Sequence, residues 1–528
     1  MALNSGGKKK SVVRRKDPLQ TDPHPLVSSL NGDEDSKVDI DIRALPDIKR
    51  QDSSQPQPVR KLSAEERQLS SMQNTVVDAP VETPVKEPFI EDAEIIEDPS
   101  EIKLPQKIVR RTDPVTSDGY EERNIPWPKP VKLGTGPLSG IRILDLTRLY
   151  PGPLATMMMA DMGADVIKIE DIISPDYMRD YPPYVNDLSA GYMAVNRSKR
   201  SLALRLSEER GQEVFFDLVK TADIVVEQFK PGVLQKIGLD YVEAIKTNPR
   251  VIYVSLTGYG QSGPYAQNTG HDVNYLGLSG ILSNTINDRG EPVVPGAQIT
   301  DVAGAYMAMN ACMAALLARD RTGQGQRVDV SLLDAALPMM SLPLAHYWST
   351  GEKLPPSQQP LTRGMAAYGT YRCKDGKYVA LGAVEPKFWT RFCELAGKPK
   401  WLDKMNSSGR EATKLRKEIV SLFKGKPRDY WLDQIGAGDY CLTPVLDVED
   451  IEDDPHIKSR GMVDVREHPQ FGKVKTIGIP LKFSHTHPRI SNTAPNLGEH
   501  TAEVLMELGY SEGKIDELRR LGIVVKLK

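Results

Sequence analysis

Short apolar runs and helical segments alternate along the chain from about residue 137 onwards. The run Ile141–Leu146 is apolar at all but two positions and predicts a buried strand, which Pro151-Gly152-Pro153 ends. A Met- and Ala-rich helix over Leu154–Met162 and a second strand over Ala164–Glu170 follow. A strand–helix–strand unit of about 30 residues predicts a right-handed parallel crossover.

Two further cycles of the same kind follow. Their segments are a strand at Leu202–Leu204, a helix at Glu208–Thr221, a strand at Asp223–Glu227, a helix at Tyr241–Thr247 and a strand at Val251–Leu256. A small-residue helix over Val302–Arg319 and a strand over Gln326–Val330 close this half. The alternation predicts an α/β fold with an open, mostly parallel, Rossmann-like sheet covered by helices.

From Tyr368 the pattern changes to short strands around a turn. Two runs, Gly369–Cys373 and Tyr378–Leu381, predict a β-hairpin, and helices are predicted at Pro386–Leu395 and Arg410–Leu422. We predict a large α/β domain over residues 137–335, a linker over 336–369, a smaller α+β domain over 370–446, and a return linker with the last segment of the large domain over 447–528.

The first 136 residues have the composition of a disordered segment. Residues 1–130 hold 15 of the 40 prolines but only three of the 33 aromatic residues. A segment so poor in large apolar side chains cannot bury enough surface to offset the entropy lost on ordering. We therefore predict a disordered N-terminal extension over residues 1–136 and a folded body after it.

The charge balance excludes a strongly basic nucleic-acid binder. The chain carries 68 Lys and Arg against 71 Asp and Glu, a net charge of −3. Residues 1–130 hold 20 of these cations and 24 of these anions, so the tail stands at −4 and the body at +1. We expect no nucleic-acid partner and, without a run of 18 apolar residues, no membrane partner. The acidic stretch Glu91–Glu101 leaves a partner for the tail open.

Cysteine usage favours a reducing compartment. The four cysteines lie far apart and form no Cys-x-x-Cys pair: Cys312, Cys373, Cys393 and Cys441. This spacing predicts neither a disulfide framework nor a metal site. The start has no apolar signal region, so we expect a cytoplasmic protein, with an organelle address in the tail left open.

Two motifs suggest phosphate binding. The segment Gly258–Gly263 satisfies G-x-G-x-x-G, but Pro264 follows at once, whereas a dinucleotide site needs a helix to open there. We interpret it as a loop at the carboxyl end of a strand. The second motif, Asn196–Ser201, places Arg197, Lys199 and Arg200 beside hydroxyls, which suits either phosphate groups or a solvated turn.

Three titratable residues are candidates for chemistry. His271 follows the glycine loop and has Asp272 beside it, and histidine is easily poised for proton transfer near neutral pH. Asp301 lies at the start of the small-residue helix, and Glu385 lies between a strand and a helix. The alternative roles are a structural one for His271 and helix capping for Asp301 and Glu385.

Several motifs in series resemble the family III CoA-transferases and CoA racemases (the CaiB/BaiF family). They are Gly140–Arg148 with Pro151-Gly152-Pro153, Asp161–Glu170, Asn196–Leu204, Glu227–Val233, Leu256–Pro264 and Arg321–Gln326. The resemblance covers residues 137–528. Gly270–Leu276 and Gly382–Phe388 resemble the α-methylacyl-CoA racemase branch. The transferase branch usually lacks a histidine at the position of His271 and commonly carries a glycine-rich loop in the small domain.

The resemblance implies racemisation of the α-carbon of a 2-methylacyl-CoA. His271 and Asp301 would exchange the α-proton from opposite faces, and Glu385, from the same or a partner subunit, would orient the imidazole. Backbone N–H groups at the start of the helix after Asp301 would stabilise the enolate. The alternative is CoA transfer, in which Asp301 attacks the thioester, forms a mixed anhydride and then carries CoA.

The resemblance also implies where CoA binds. Its phosphates and adenine nucleotide would contact Arg148, Lys168, Asn196, Arg197, Lys199 and Arg200. No cofactor beyond the CoA moiety of the substrate, no metal, and an interlocked homodimer are expected. A non-enzymatic scaffold that retains CoA binding is a third hypothesis, which the joint presence of His271, Asp301 and Glu385 disfavours.

Overall fold

The computed structural model describes residues 136–185, 188–435, 440–468 and 472–525, so the predicted disordered extension lies outside the described residues except at its last position. The strands are β1 (Arg142–Leu146), β2 (Asp165–Glu170), β3 (Tyr184–Val185), β4 (Leu188–Ser189), β5 (Arg200–Ala203), β6 (Ile224–Glu227), β7 (Ile252–Thr257), β8 (Arg327–Ser331), β9 (Tyr368–Arg372), β10 (Tyr378–Gly382), β11 (Leu442–Val445), β12 (Val463–His468) and β13 (Gly472–Ile477).

The α-helices begin with the one that leaves the first strand. They are α1 (Pro151–Asp161), α2 (Ala190–Asn196), α3 (Glu209–Thr221), α4 (Val233–Lys236), α5 (Tyr241–Thr247), α6 (Asp272–Leu278), α7 (Ile281–Asn284), α8 (Ile299–Thr322), α9 (Leu332–Ala336), α10 (Ser341–Thr350), α11 (Pro386–Leu395), α12 (Gly409–Lys424), α13 (Arg428–Ile435), α14 (Val448–Ile451), α15 (Pro455–Ser459), α16 (Thr501–Glu507) and α17 (Glu512–Arg520). Single turns of other helix types lie at Tyr177–Asp180, Leu337–Met340, Pro399–Lys404 and Pro360–Gly364.

The main sheet has six parallel strands in the order β5-β2-β1-β6-β7-β8. The chain winds outward from β1 through β2 to β5, returns to β6 beside β1, and winds outward again. The strand order therefore reverses between β1 and β6, and open α/β sheets bind their ligands outside the carboxyl ends of the strands at such a point. The predicted Rossmann-like parallel sheet is confirmed.

Apolar side chains cover both faces of this sheet. In β1, Ile143 points into one core cluster and Leu144 into the other, as the two-residue period of a strand requires. Helices α1 and α8 cover one face, and α3, α16 and α17 cover the other. Burial on both faces explains why the strands are nearly continuous apolar runs in the sequence.

Helix α8 is longer than predicted and carries Asp301 in its first turn. It ends at Gly323, whose φ of +75° lets its N–H turn back to the carbonyl of Arg319 at 2.7 Å. Among the described residues, α8 alone is long and apolar enough to cross a membrane by length and composition. It packs on α1, β7 and β8, however, and helices in the cores of soluble proteins pass the same test.

A second core lies around the antiparallel sheet β9-β10-β11. Its centre is a group of stacked and edge-on rings contributed by α11, α12, α13 and the turns between them: Trp389, Phe392, Trp401, Phe423 and Trp431. The predicted hairpin and the helix Pro386–Leu395 form here. The hairpin β12–β13 was not predicted, because its residues form no apolar run and all but His468 are half-buried or exposed.

Candidate active site

The start of α6 and the start of α8 are fastened together by one carboxylate oxygen. Oδ1 of Asp272 accepts hydrogen bonds from the N–H of Thr300 at 2.7 Å, the hydroxyl of Thr300 at 2.6 Å and the N–H of Asp301 at 3.2 Å. His271 directly precedes Asp272, so the structure brings two of the three predicted catalytic residues to neighbouring helix starts. Asp272 itself was predicted only as a neighbour of the imidazole.

Asp301 has the protonation behaviour of a general acid–base group. Its side chain is half-buried in the first turn of α8. Burial, and then the nearby charge of Asp272, raise the pKa of Asp301 to about 7. A carboxyl group whose pKa lies near neutrality is present in both protonation states and can both accept and return a proton.

His271 is exposed at the start of α6. Its backbone holds the first turn, because its N–H donates to Oδ1 of Asn274 at 2.9 Å and its carbonyl accepts from the N–H of Asn274 at 2.8 Å. Oδ1 of the adjacent Asp272 is engaged by α8. The side chain of His271 is therefore displayed at the surface beside the Asp301 helix, accessible to a substrate.

Glu385 lies at the start of α11, a helix of the second core. It is exposed, its carbonyl starts α11, and its carboxylate lies 3.4 Å from the ammonium of Lys387. The described contacts of one chain do not join Glu385 to His271. The predicted orienting role of Glu385 thus remains a prediction that needs a second chain or a rearrangement.

The predicted enolate donors are already engaged. The N–H groups of Thr300 and Asp301 donate to Asp272, and the N–H of Val302 donates to the carbonyl of Gln298 at 3.1 Å. The first turn of α8 therefore holds Asp301 in place instead of offering these donors to a substrate. Tyr150, at the start of α1, is an alternative donor. Burial, followed by the charges of Asp301 and Tyr306, raises its pKa.

Most of the residues predicted to bind CoA phosphates have partners inside the protein. Nζ of Lys168 pairs with Asp176 at 2.9 Å, Nζ of Lys199 pairs with Asp145 at 2.9 Å, and all four side chains are fully buried. Asn196 is also buried and accepts from Lys199 at 2.8 Å. Because these groups already have partners inside the protein, phosphate binding by Lys168, Lys199 and Asn196 remains a prediction.

Two arginines of the same motif are also engaged by carboxylates. Arg197 is buried and pairs with Asp161 at 2.8 Å, while Arg200 pairs with Asp165 and Glu507, both at 2.7 Å. The alternative of a solvated turn does not fit the structure, since Ser198 and Ser201 are buried. These contacts fasten the edge strand β5 to β2 and to the C-terminal helices.

Arg148 is the exception among the predicted CoA contacts. It follows β1, is half-buried, donates to the carbonyl of Ser174 at 2.9 Å, and lies over the ring of Phe229 at 5.3 Å. Phe229 follows β6, so this pair spans the point where the strand order reverses. Lys230 and Lys236 are exposed in the segment that continues from Phe229. Lys230 belongs to the family motif Glu227–Val233, in which the sequence alone predicted no CoA contact.

The glycine motif has a packing explanation. A Cβ on Gly258 would lie 2.3 Å from the hydroxyl oxygen of Tyr275, whose O–H donates to the carbonyl of Gly270 at 2.7 Å. A side chain at residue 258 would thus displace the ring that closes the loop in front of His271. The glycine serves the candidate site through this close approach.

A largely apolar groove begins beside the Asp301 helix. Its volume is about 860 Å³, and it runs between α7, α10 and the residues 353–362. Ile299, two residues before Asp301, lies at its wall together with Met339, Met340 and Leu342. Such a groove has the size and lining of a site for a small apolar group.

The raised pKa of Asp301 implies that this carboxyl group destabilises the fold as pH rises. Between its ordinary value of 3.8 and about 7, the native state keeps a proton that the unfolded state has released, so stability falls through this window. We expect Asp301→Asn to gain about 1–2 kcal/mol above pH 7, after discounting for the solvent-exposed part of the side chain. For a folded body of this size, this corresponds to about 1–2 °C in Tm.

Thermal denaturation at several pH values measures this effect. The Tm of Asp301→Asn minus that of the wild type should grow from pH 4 to pH 7 and level off above. Asp320→Asn is a matched control, because it makes the same change at an exposed position of the same helix. A Tm difference that does not vary with pH would contradict the raised pKa.

The chain belongs to the CoA-transferase family III, whose model matches residues 138–501. The resemblance predicted from the sequence motifs is confirmed. The protein is an enzyme of this superfamily, for which an acyl-CoA is the fitting substrate.

Particular relatives include both reaction types. The chain is 33% identical over 395 residues to the succinyl-CoA:glutarate CoA-transferase of Mus musculus, a match of 74% of this chain and 90% of the relative. It is 33% identical over 386 residues to the alpha-methylacyl-CoA racemase of Homo sapiens, a match of 72% and 96%. A crystal structure of a CAIB/BAIF family protein from Brucella suis aligns with a TM-score of 0.62 and 30% identity over 71% of this chain and 100% of that one.

Proposed function

We propose that the protein racemises or epimerises the α-carbon of a 2-methylacyl-CoA by two-base proton transfer between His271 and Asp301. One observation carries this proposal: Asp272 fastens the helix that His271 precedes to the helix that holds Asp301. A racemase needs two proton-transfer groups that flank one carbon. A single attacking carboxylate would give His271 no function.

The proposed reaction conserves protons. One base removes the α-proton and leaves an enolate of the thioester, and the other base delivers a proton to the opposite face. Asp301 suits either step, because its pKa of about 7 keeps both of its forms populated at neutral pH. We assign the hydroxyl of Tyr150 as a donor to the enolate oxygen, since its raised pKa keeps it protonated.

The CoA nucleotide is proposed to bind at the reversal point of the sheet. Arg148 lies there over Phe229, and Lys230 is exposed a residue further on. Guanidinium and ammonium groups are suitable partners for phosphates, and ligands of open α/β sheets bind at this position. The acyl group would then extend along the apolar groove that starts at Ile299.

Exposed apolar side chains support the proposed homodimer. Helix α10 exposes 72% of Leu342, 52% of Tyr347 and 73% of Trp348. A helix of this composition is covered in most proteins, and a second copy would also offer its Glu385 to His271. We further propose that the enzyme has no resident cofactor beyond CoA, no nucleic-acid or membrane partner, and a cytoplasmic location.

CoA transfer is the second candidate, because transferases are among the relatives and Asp301 is a half-buried carboxyl group that could attack a thioester. Its carboxylate would attack the thioester carbonyl, release CoA thiolate and form a mixed anhydride. The thiolate would then attack the aspartyl carbonyl and release the acid. His271 has no step in this scheme.

One experiment separates the two reactions. The protein is incubated with one epimer of a 2-methylacyl-CoA in heavy water, and the α-proton is followed by NMR. Deuterium exchange with loss of optical activity is the expected result. No exchange, together with CoA appearing on an added dicarboxylic acid and a hydroxylamine-sensitive Asp301 adduct, would establish the transferase instead. Absence of both reactions would leave a CoA-binding scaffold.

A further inference from the structure

We propose that the buried ion pair Lys168–Asp176 positions the loop Thr147–Tyr150, and through it Arg148 and Tyr150. Neither member of the pair lies where a ligand can touch it, so both are positioning residues. The part that concerns CoA binding requires only that the protein binds CoA. The part that concerns Tyr150 rests on the proposed function.

Lys168 contacts the loop Thr147–Tyr150 through its ammonium group. Its ammonium lies 2.9 Å from Oδ2 of Asp176 and donates to the carbonyl of Thr147 at 2.9 Å. The side chains of Lys168 and Asp176 are both fully buried. Buried charges of this kind are retained only where several partners hold them, and one of the partners here is loop backbone.

Asp176 holds the next part of the loop. Its Oδ1 accepts from the N–H of Leu149 at 3.0 Å and from the N–H of Met178 at 3.1 Å. Leu149 has a φ of +62°, in the left-handed region that a leucine rarely adopts. Such a conformation persists where the surroundings fix it, and strained backbone of this type concentrates at functional sites.

A second buried pair completes the hold on Thr147. Oδ1 of Asp145 accepts from the N–H of Thr147 at 2.9 Å, and its Oδ2 pairs with Lys199 at 2.9 Å. Nζ of Lys199 also donates to the carbonyl of Pro153 in the first turn of α1 at 3.0 Å. The backbone is therefore fixed before and after Arg148.

The two residues that the loop presents face different parts of the site. Arg148 extends towards Phe229 at the reversal point of the sheet, whereas Tyr150 directly precedes α1, which packs on the Asp301 helix α8. A change in the backbone of Leu149 would shift both side chains together. Loss of the ion pair should therefore weaken CoA binding and slow α-proton exchange at the same time.

The double variant Lys168→Met with Asp176→Leu tests positioning against mere stability. It leaves no unpaired buried charge, and apolar replacements of buried ion pairs are commonly tolerated by a fold. It nevertheless removes the hydrogen bonds to Thr147 and Leu149. We expect a Tm near that of the wild type with a Kd for CoA raised about tenfold or more and kcat for exchange reduced by a similar factor.

Two further variants separate an effect on the loop from an effect on stability. Lys168→Met with Asp176→Asn leaves no unpaired buried charge, retains an oxygen for the N–H of Leu149, and should recover part of the CoA affinity that the double variant loses. Arg319→Met breaks another buried ion pair, with Asp223 at 2.8 Å, which lies 18 residues and about 27 Å along α8 from Asp301. It should lower Tm while leaving the Kd for CoA within about twofold of the wild type, since distant sites act independently.

A double-mutant cycle shows whether the pair acts through the loop. In calorimetric titrations with CoA, the loss caused by Arg148→Gln should shrink in the double variant, because Arg148 is already misplaced there. The same holds for Tyr150→Phe in the exchange assay. Additive effects, or a double variant with normal Tm and normal Kd, would overturn the proposal. If the wild type binds CoA but exchanges no α-proton, the racemase proposal fails. The CoA titrations then still test whether the ion pair positions the loop Thr147–Tyr150.

Discussion

An Asp301→Asn variant is expected to lose α-proton exchange by about 10²- to 10⁴-fold, the usual contribution of a positioned acid–base group. Asparagine has the same shape as aspartate and leaves the backbone N–H of residue 301 bonded to Asp272 at 3.2 Å. It cannot accept or deliver the proton, and it cannot form an acyl anhydride. The variant should therefore also lose CoA transfer, if the protein performs it.

This result needs kcat and KM measured separately, with deuterium exchange and acyl transfer as parallel assays. Asp320→Asn controls for the same chemical change on the same helix and should leave both rates unchanged. The variant should bind CoA normally, because the proposed nucleotide site lies at the loops after β1 and β6. An Asp301→Asn protein that exchanges α-protons at the wild-type rate would remove Asp301 from the mechanism.

Replacement of His271 by alanine should separate the two reactions. We expect exchange to fall by about 10²- to 10⁴-fold, because one face of the α-carbon loses its base. Any transfer half-reaction should keep most of its rate, since Asp301 alone forms the covalent intermediate. The fold should be retained, because the bonds of residue 271 to Asn274 run through its backbone N–H and carbonyl.

The comparison uses deuterium exchange on one side and formation of the hydroxylamine-sensitive adduct on the other. His456→Ala provides a matched control, since His456 is also an exposed histidine in the first turn of a helix. Equal loss of exchange and adduct formation in His271→Ala would contradict the proposed division of roles. It would indicate that the imidazole serves substrate binding in both reactions.

The parallel sheet was predictable because its strands are buried on both faces. Burial makes a segment such as Ile141–Leu146 an almost continuous apolar run, and Pro and Gly mark where the run ends. The helix Tyr241–Thr247 was predicted with its observed bounds. Helix α8 begins three residues earlier than predicted, because its start is capped by Asp272 from a distant segment, a contact that no local pattern records.

The sequence indicated candidate residue types but not their pairing. His271 and Asp301 stood out as titratable residues, and the family resemblance assigned their catalytic roles, which remain predictions. The cations after Asn196 were assigned to phosphates because their carboxylates lie far away in the sequence: Asp145 is 54 residues from Lys199, and Asp161 is 36 residues from Arg197. Only the fold shows that these charges are already neutralised.

The hydrogen bonds to Oδ1 of Asp272 bear on how this enzyme family diversifies. This oxygen holds Asp301 through Thr300 and through backbone N–H groups, without any contribution from the imidazole of residue 271. Under the proposed roles, a substitution at residue 271 would add or remove one base while the other stays in place. Racemases and transferases are both among the relatives. This is expected if one side chain can change while the structure around it is kept.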